Sequence, residues 1–159
     1  MKKIIIIILI LVLVGIQFIR PERNLGEASG NQDITHAVMV PENVLSVFQR
    51  SCYDCHSNHT EYPWYANINP VGLWLNGHIE EGKDELNFSE FATYDVKRMD
   101  HKLEEIVEEI EEGNMPLPPY AFIHGSARLS EEEVNLITQW VKTERQKLDV
   151  PAEQPVSLR

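Results

Sequence analysis

Nowhere in this chain do apolar and polar side chains alternate over the length of a strand. Wherever a pattern is sustained, its period is that of a helix. Pro41 suits a first helical position, and Val44, Val47, Phe48 and Ser51 follow at helical spacing, so a helix runs directly into Cys52. Asn69-Pro70 reads as a cap and a first-turn proline. They open a second helix whose apolar face is Val71, Trp74, Leu75, His78 and Ile79. A third runs from about Asp95 to Glu112, with Met99, Leu103, Ile106, Val107 and Ile110 on one side, mostly glutamate on the other, and Gly113 as its stop. Ser130 with Glu133 three residues later forms a capping box, and Val134, Ile137, Trp140 and Val141 make the buried stripe of a last helix. The expected fold class is all-α, with four or so helices and long irregular segments at 56–69 and 113–129. Ordered loops of that length need something to pack on, and a large apolar cofactor would serve.

The ends of the chain read differently. Lys2 and Lys3 precede an unbroken apolar run, Ile4–Ile16, extended by Phe18 and Ile19. As a helix, Ile4 to Ile19 would span about 24 Å, so residues 1–19 are expected to be an uncleaved transmembrane anchor rather than a cleaved signal. Residues 20–37, with Gly26, Gly30 and scattered polar groups, read as a flexible tether, residues 38–148 as the folded domain, and residues 149–159 as a loose tail. Residues 24–159 carry 24 acidic against 10 basic side chains, a net of −14. That balance argues against nucleic acid and against anionic lipid surfaces as partners of the domain.

The chain has two cysteines, Cys52 and Cys55, with His56 directly after the second. A disulfide across two intervening residues would restrict the unfolded chain little, so their purpose is chemical. Cys-x-x-Cys-His is the sequence by which haem is covalently attached. The two thiols add to the vinyl groups, and the adjacent histidine falls beneath the iron. Two other chemistries use the same residue types. Cys52, Cys55, His56 and His59 could be four zinc ligands, although structural zinc sites usually separate two ligand pairs by a longer stretch. A redox dithiol expects a βαβ setting, which the pattern lacks.

The stretches CYDCHSNHTEYPWYANINPVGLWLNGHI and EIEEGNMPLPPYAFIHGSARLSEEEVNLITQWV resemble a single-haem c-type cytochrome. They resemble more closely the bacterial exported haem-binding domain family, which carries one CxxCH motif. The resemblance covers about Val38–Thr143. It implies a cytochrome c-like fold, with a helix before the motif, a last helix packed across it, and loops around one haem c per chain. It also implies a second axial ligand beside His56. Met115, in Asn114-Met115-Pro116-Leu117-Pro118-Pro119 and 59 residues after His56, is the candidate. Three prolines stiffen that loop and remove amide donors that would otherwise need partners. His124 could replace Met115. In cytochromes c a proline carbonyl often accepts the other imidazole N–H, which points to Pro63. Trp64, Tyr65, Trp74 and Tyr120 are candidate haem-packing aromatics, or ordinary core residues.

These readings lead to an electron carrier rather than an enzyme, because an iron with both axial positions filled has no open site for substrate. The expected location is the inner membrane, with the haem domain in the periplasm and a redox protein as partner. The alternative is a haem protein with an open or labile distal site, either a peroxidase accessory or a gas or redox sensor. His124 and Arg128 would then be the polar groups above the iron. A third reading, a tethered interaction domain without haem, requires the motif to be accidental.

Overall fold

The computed structural model describes residues 1–148; the expected tail at 149–159 lies outside the described residues. Among the described residues seven α-helices follow in order: α1 Lys2–Gly15, α2 Glu42–Ser51, α3 Tyr53–His56, α4 Val71–Glu85, α5 Val96–Glu111, α6 Pro118–Ile123 and α7 Glu131–Arg145. Short 3-10 turns connect them, and no strand forms among the described residues beyond one isolated bridge, Leu25 to His59. The four expected long helices are α2, α4, α5 and α7. The expected irregular segments hold a 3-10 turn at Trp64–Asn67 and helix α6.

Local signals account for most boundaries. The Ser130 side chain accepts from the Glu133 amide, and the Glu133 carboxylate accepts from the Ser130 amide, which completes the capping box. Asp95 caps α5 by accepting from the Arg98 amide. Gly113 ends α5 at φ 74, a left-handed conformation that costs a residue without Cβ nothing.

The core lies where α2, α5 and α7 meet. Phe48, Phe88, Phe91, Ile34, Leu103 and Ile137 are fully buried. Phe48 stacks on Phe88 at 5.0 Å and meets Trp140 edge-on at 5.5 Å. Arg145 forks onto Asp100 at 2.7 and 3.0 Å and reaches Glu104 at 2.9 Å, tying α7 to α5. Arg50 pairs with Glu133 at 2.8 Å and ties α7 to α2.

The structure departs from the expected pattern at three places. The N-terminal helix stops at Gly15, a 3-10 turn follows, and Ile19 is extended. Its 14 residues rise about 21 Å, short of a hydrocarbon core of about 30 Å. Among the described residues no helix is long and apolar enough to cross a membrane. The helix ends where Gln17 and Asn69 exchange hydrogen bonds at 2.7 and 3.0 Å, and the Asn69 side-chain amide also donates to the Ile16 and Ile19 carbonyls. That pairing ends α1 against the domain. It also takes Asn69 away from capping α4, which has no side-chain cap.

Second, residues 20–37, read from the sequence as a tether, lie against the domain. The Asn24 side-chain amide donates to Ser57 O and Thr60 Oγ1. The Gly26 amide donates to Asn58 O, and Asp33 and Ile34 are buried. The folded domain therefore begins well before Val38. Third, α4 is turned from its expected phase. It buries Gly72, Leu75, Asn76 and Ile79, while Val71 and Trp74 stay exposed. Gly72 sets that phase, because a Cβ there would collide with the Ala66 carbonyl.

Candidate functional site

Helix α2 delivers the chain to the motif. The Cys52 amide bonds to Phe48 O, and the Cys55 and His56 amides both return to Cys52 O, at 3.1 and 3.0 Å. This single turn, α3, puts both thiols on one cleft. The cleft has two adjoining lobes of about 380 and 340 Å³. Cys52, His56 and Met115 line both lobes, and Cys55 and Tyr120 line the second. Residues 56 and 115, far apart in the chain, thus face one space. Leu86, Phe88, Ile106 and Ile110 supply apolar wall in the first lobe and Leu117 in the second. A larger hollow of about 740 Å³ lies between residues 22–32 and α4. It is open and polar, and no residue of the CxxCH motif lines it.

The His56 imidazole is held by backbone. Its Nδ1–H donates to Gly82 O at 2.8 Å and to Leu86 O at 3.1 Å, both at the end of α4. The tautomer that makes those bonds leaves Nε2 as a free lone pair, the form that ligates a metal. Burial lowers the His56 pKa, the two carbonyls oppose that, and the Lys102 charge lowers it further, so the ring is held toward neutrality. Gly82 permits the approach: a Cβ there would sit 2.9 Å from Cys55 O and 3.4 Å from His56 Cε1.

Both thiols are free. Burial, and then the neighbouring Cys55, push Cys52 up to about 12; burial, and then Asp54, push Cys55 up to about 11. Redox-active or metal-binding thiols sit in electropositive surroundings that lower the pKa, the reverse of this setting. Nor do the four side chains of the zinc alternative converge. His59 turns away to Gly26 O at 3.0 Å, and among the described residues no three His, Cys, Asp or Glu side chains are grouped to hold a metal ion.

A family model for the haem-binding domain matches residues 11–143. The chain belongs to the haem-binding domain family. No curated protein and no solved structure matches it. The residues present fit that cofactor: two free thiols on one turn, an imidazole oriented by carbonyls, and an apolar-walled cleft between them and Met115. Family membership removes the reading of a haem-free interaction domain.

The rest of the expected site of this haem-binding domain is rearranged. The Pro63 carbonyl accepts from the Ala66 amide, not from His56. Trp64 is 76% exposed and Trp74 is 41% exposed, packed on His78 at 4.3 Å; neither lines the cleft. The phase of α4 and the 3-10 turn at Trp64–Asn67 carry both tryptophans outward. Tyr65 pairs with His124, hydroxyl to Nε2, at 2.6 Å. Arg128 Nε donates to Ala121 O, and neither His124 nor Arg128 lines the cleft. Missing from the sequence reading were Gly82, Leu86, Phe88 and Lys102. Phe88 and Lys102 carried side-chain signals, an aromatic and a cation near a helical stripe. Gly82 and Leu86 act through carbonyls, which have none.

Proposed function

We propose that this haem protein is a c-type cytochrome that carries electrons. One haem is bound covalently through Cys52 and Cys55, with His56 and Met115 as axial ligands. The observation that carries the reading is the convergence of Cys52, His56 and Met115 on a single apolar-walled cleft. When bound, the cofactor supplies a one-electron couple. The protein supplies attachment, an oriented imidazole and a thioether. A thioether opposite an imidazole raises the potential, as do burial and exclusion of water.

Lys102 is the only Lys or Arg lining either lobe among the described residues. Its side chain is 11% exposed and lies between Glu85 at 3.4 Å and Glu105 at 2.6 Å. It is the group suited to pair with the carboxylates of the cofactor. The alternative, an open distal site for peroxide or gas chemistry, rests on His124 and Arg128 as the polar groups above the iron. His124 and Arg128, its candidates, are bonded elsewhere.

An exported location is part of the proposal, resting on the apolar run behind Lys2 and Lys3. The partner is a redox protein. Its complement at the cleft edge would be basic, because Glu81, Glu85, Glu105 and Glu109 line the cleft. The test is an absorption spectrum of the protein co-expressed with the machinery that attaches haem c, recorded oxidised and reduced. A covalent low-spin spectrum with the weak long-wavelength Met–iron band is expected. A high-spin spectrum would turn the reading toward ligand binding, and the absence of covalent haem would defeat it.

A further inference from the structure

Asp54 lies between the two cysteines of the motif and is held from three sides. Its backbone carbonyl accepts from Thr60 Oγ1 at 2.6 Å, its Oδ1 accepts from the Glu61 amide at 3.0 Å, and its Oδ2 accepts from the Tyr120 hydroxyl at 2.6 Å. Tyr120 is five residues beyond Met115, on α6, and lines the same lobe as Asp54, His56 and Met115. Three of the four intervening residues, Pro116-Leu117-Pro118-Pro119, are proline. Each proline locks its φ near −65°, so this strap is stiff, and a position imposed at Tyr120 is passed on to Met115. The other end of the strap is pinned too, since the Met115 amide donates to Glu109 O at 3.1 Å. Behind Tyr120 the His124 ring stacks at 4.3 Å, held in turn by the Tyr65 hydroxyl.

We propose that Asp54 and Tyr120 form a latch between the attachment turn and the Met115 strap, and that both are positioning residues for the distal thioether. The inference rests on the proposed role of Met115. A carboxylate accepting from a phenol makes a short, charge-assisted bond. With the latch closed, Met115 is presented to the cleft and external ligands are kept out. With it broken, the strap keeps its Glu109 end and the stack on His124 but loses its tie to the attachment turn, and the distal side becomes accessible.

The test is imidazole binding to the oxidised, haem-loaded full chain, followed by its absorption change. Tyr120→Phe removes only the hydroxyl. It is expected to bind imidazole roughly tenfold more tightly than the unaltered protein, the change that loss of one charge-assisted hydrogen bond would produce. Asp54→Asn should act in the same direction, and the double variant should open the site no further than the stronger single variant. Met115→Ala sets the fully open limit. If Met115→Ala opens the site and Tyr120→Phe does not, the latch is overturned while the ligand assignment stands. If Met115→Ala behaves as the unaltered protein, the ligand assignment fails and the latch with it. Should a variant not take up haem, hydrogen exchange of the apo-protein over residues 115–123 gives the same decision. Faster exchange in Tyr120→Phe supports the latch, and unchanged exchange overturns it.

Discussion

At the scale of single residues, the chemistry depends on a few atoms held by backbone. His56 is aimed by two carbonyls at the end of α4, and its fixed tautomer leaves Nε2 free. Gly82 is therefore sensitive. Gly82→Ala places a methyl 2.9 Å from Cys55 O, and relief requires α4 to move off the motif. The expected cost is about 1–3 kcal/mol, read as a lower unfolding midpoint in urea, together with a broadened haem spectrum as the imidazole loses its carbonyls. Met115→Ala should convert the low-spin spectrum to high-spin and lower the reduction potential, since an electron-accepting thioether favours the reduced state. A redox titration that returned the same potential for both proteins would remove Met115 from the iron. At this scale the motif was legible in the chain, because the proposed covalent attachment needs those three residue types at that spacing. The acceptors of the His56 N–H were not, because a carbonyl belongs to every residue.

At the scale of elements, the helices follow from their periodicity and caps. The capping box on α7 satisfies two amides that the helix would otherwise leave without partners. Ser130→Ala should cost about 1 kcal/mol, measurable as a shift in the thermal midpoint, with the haem spectrum unchanged because α7 does not line the cleft. Helix α4 shows where periodicity stops being informative. Its stripe of Val71, Trp74, Leu75, His78 and Ile79 is a sound apolar face, yet the helix turns so that Gly72 meets the Ala66 carbonyl. Close approach of backbone to backbone outweighs the burial of one exposed tryptophan. Helix α1 ends early for a related reason: Gln17 has a partner in Asn69, 52 residues away.

At the scale of the whole molecule, ion pairs add to the buried contacts of Ile137 and Trp140 in joining α7 to α5 and α2. The Asp100 pKa is lowered, first by its hydrogen bond to Arg145. At Glu133 burial raises the pKa, but the Ser130 amide and Arg50 outweigh it and the net shift is downward. A carboxylate whose folded pKa is depressed stabilises the protein above its unfolded value and loses that contribution as the pH falls through the folded one. Stability should thus be level above about pH 5 and decline below about pH 4, the range in which unfolded carboxylates take up protons. Asp100→Asn should flatten the decline in urea midpoints measured across that range. An unchanged slope would place the acid sensitivity elsewhere.

The sequence by itself determined the all-helical class, the CxxCH motif, the proline-stiffened strap bearing Met115, the ends of α5 and the start of α7. Each of these is written in neighbouring residues, as a spacing, a cap or a ring that locks φ. Tertiary structure alone decided which groups meet across the cleft. Gly82 and Leu86 orient His56, Asp54 reaches Tyr120, and Lys102 faces the cleft, while Trp64 and Trp74 turn outward. It also decided that residues 20–37 lie on the domain and that Asn69 serves the N-terminal segment instead of capping α4. Those choices rest on backbone carbonyls, on glycine clearances and on partners dozens of residues apart, and none of these leaves a local pattern.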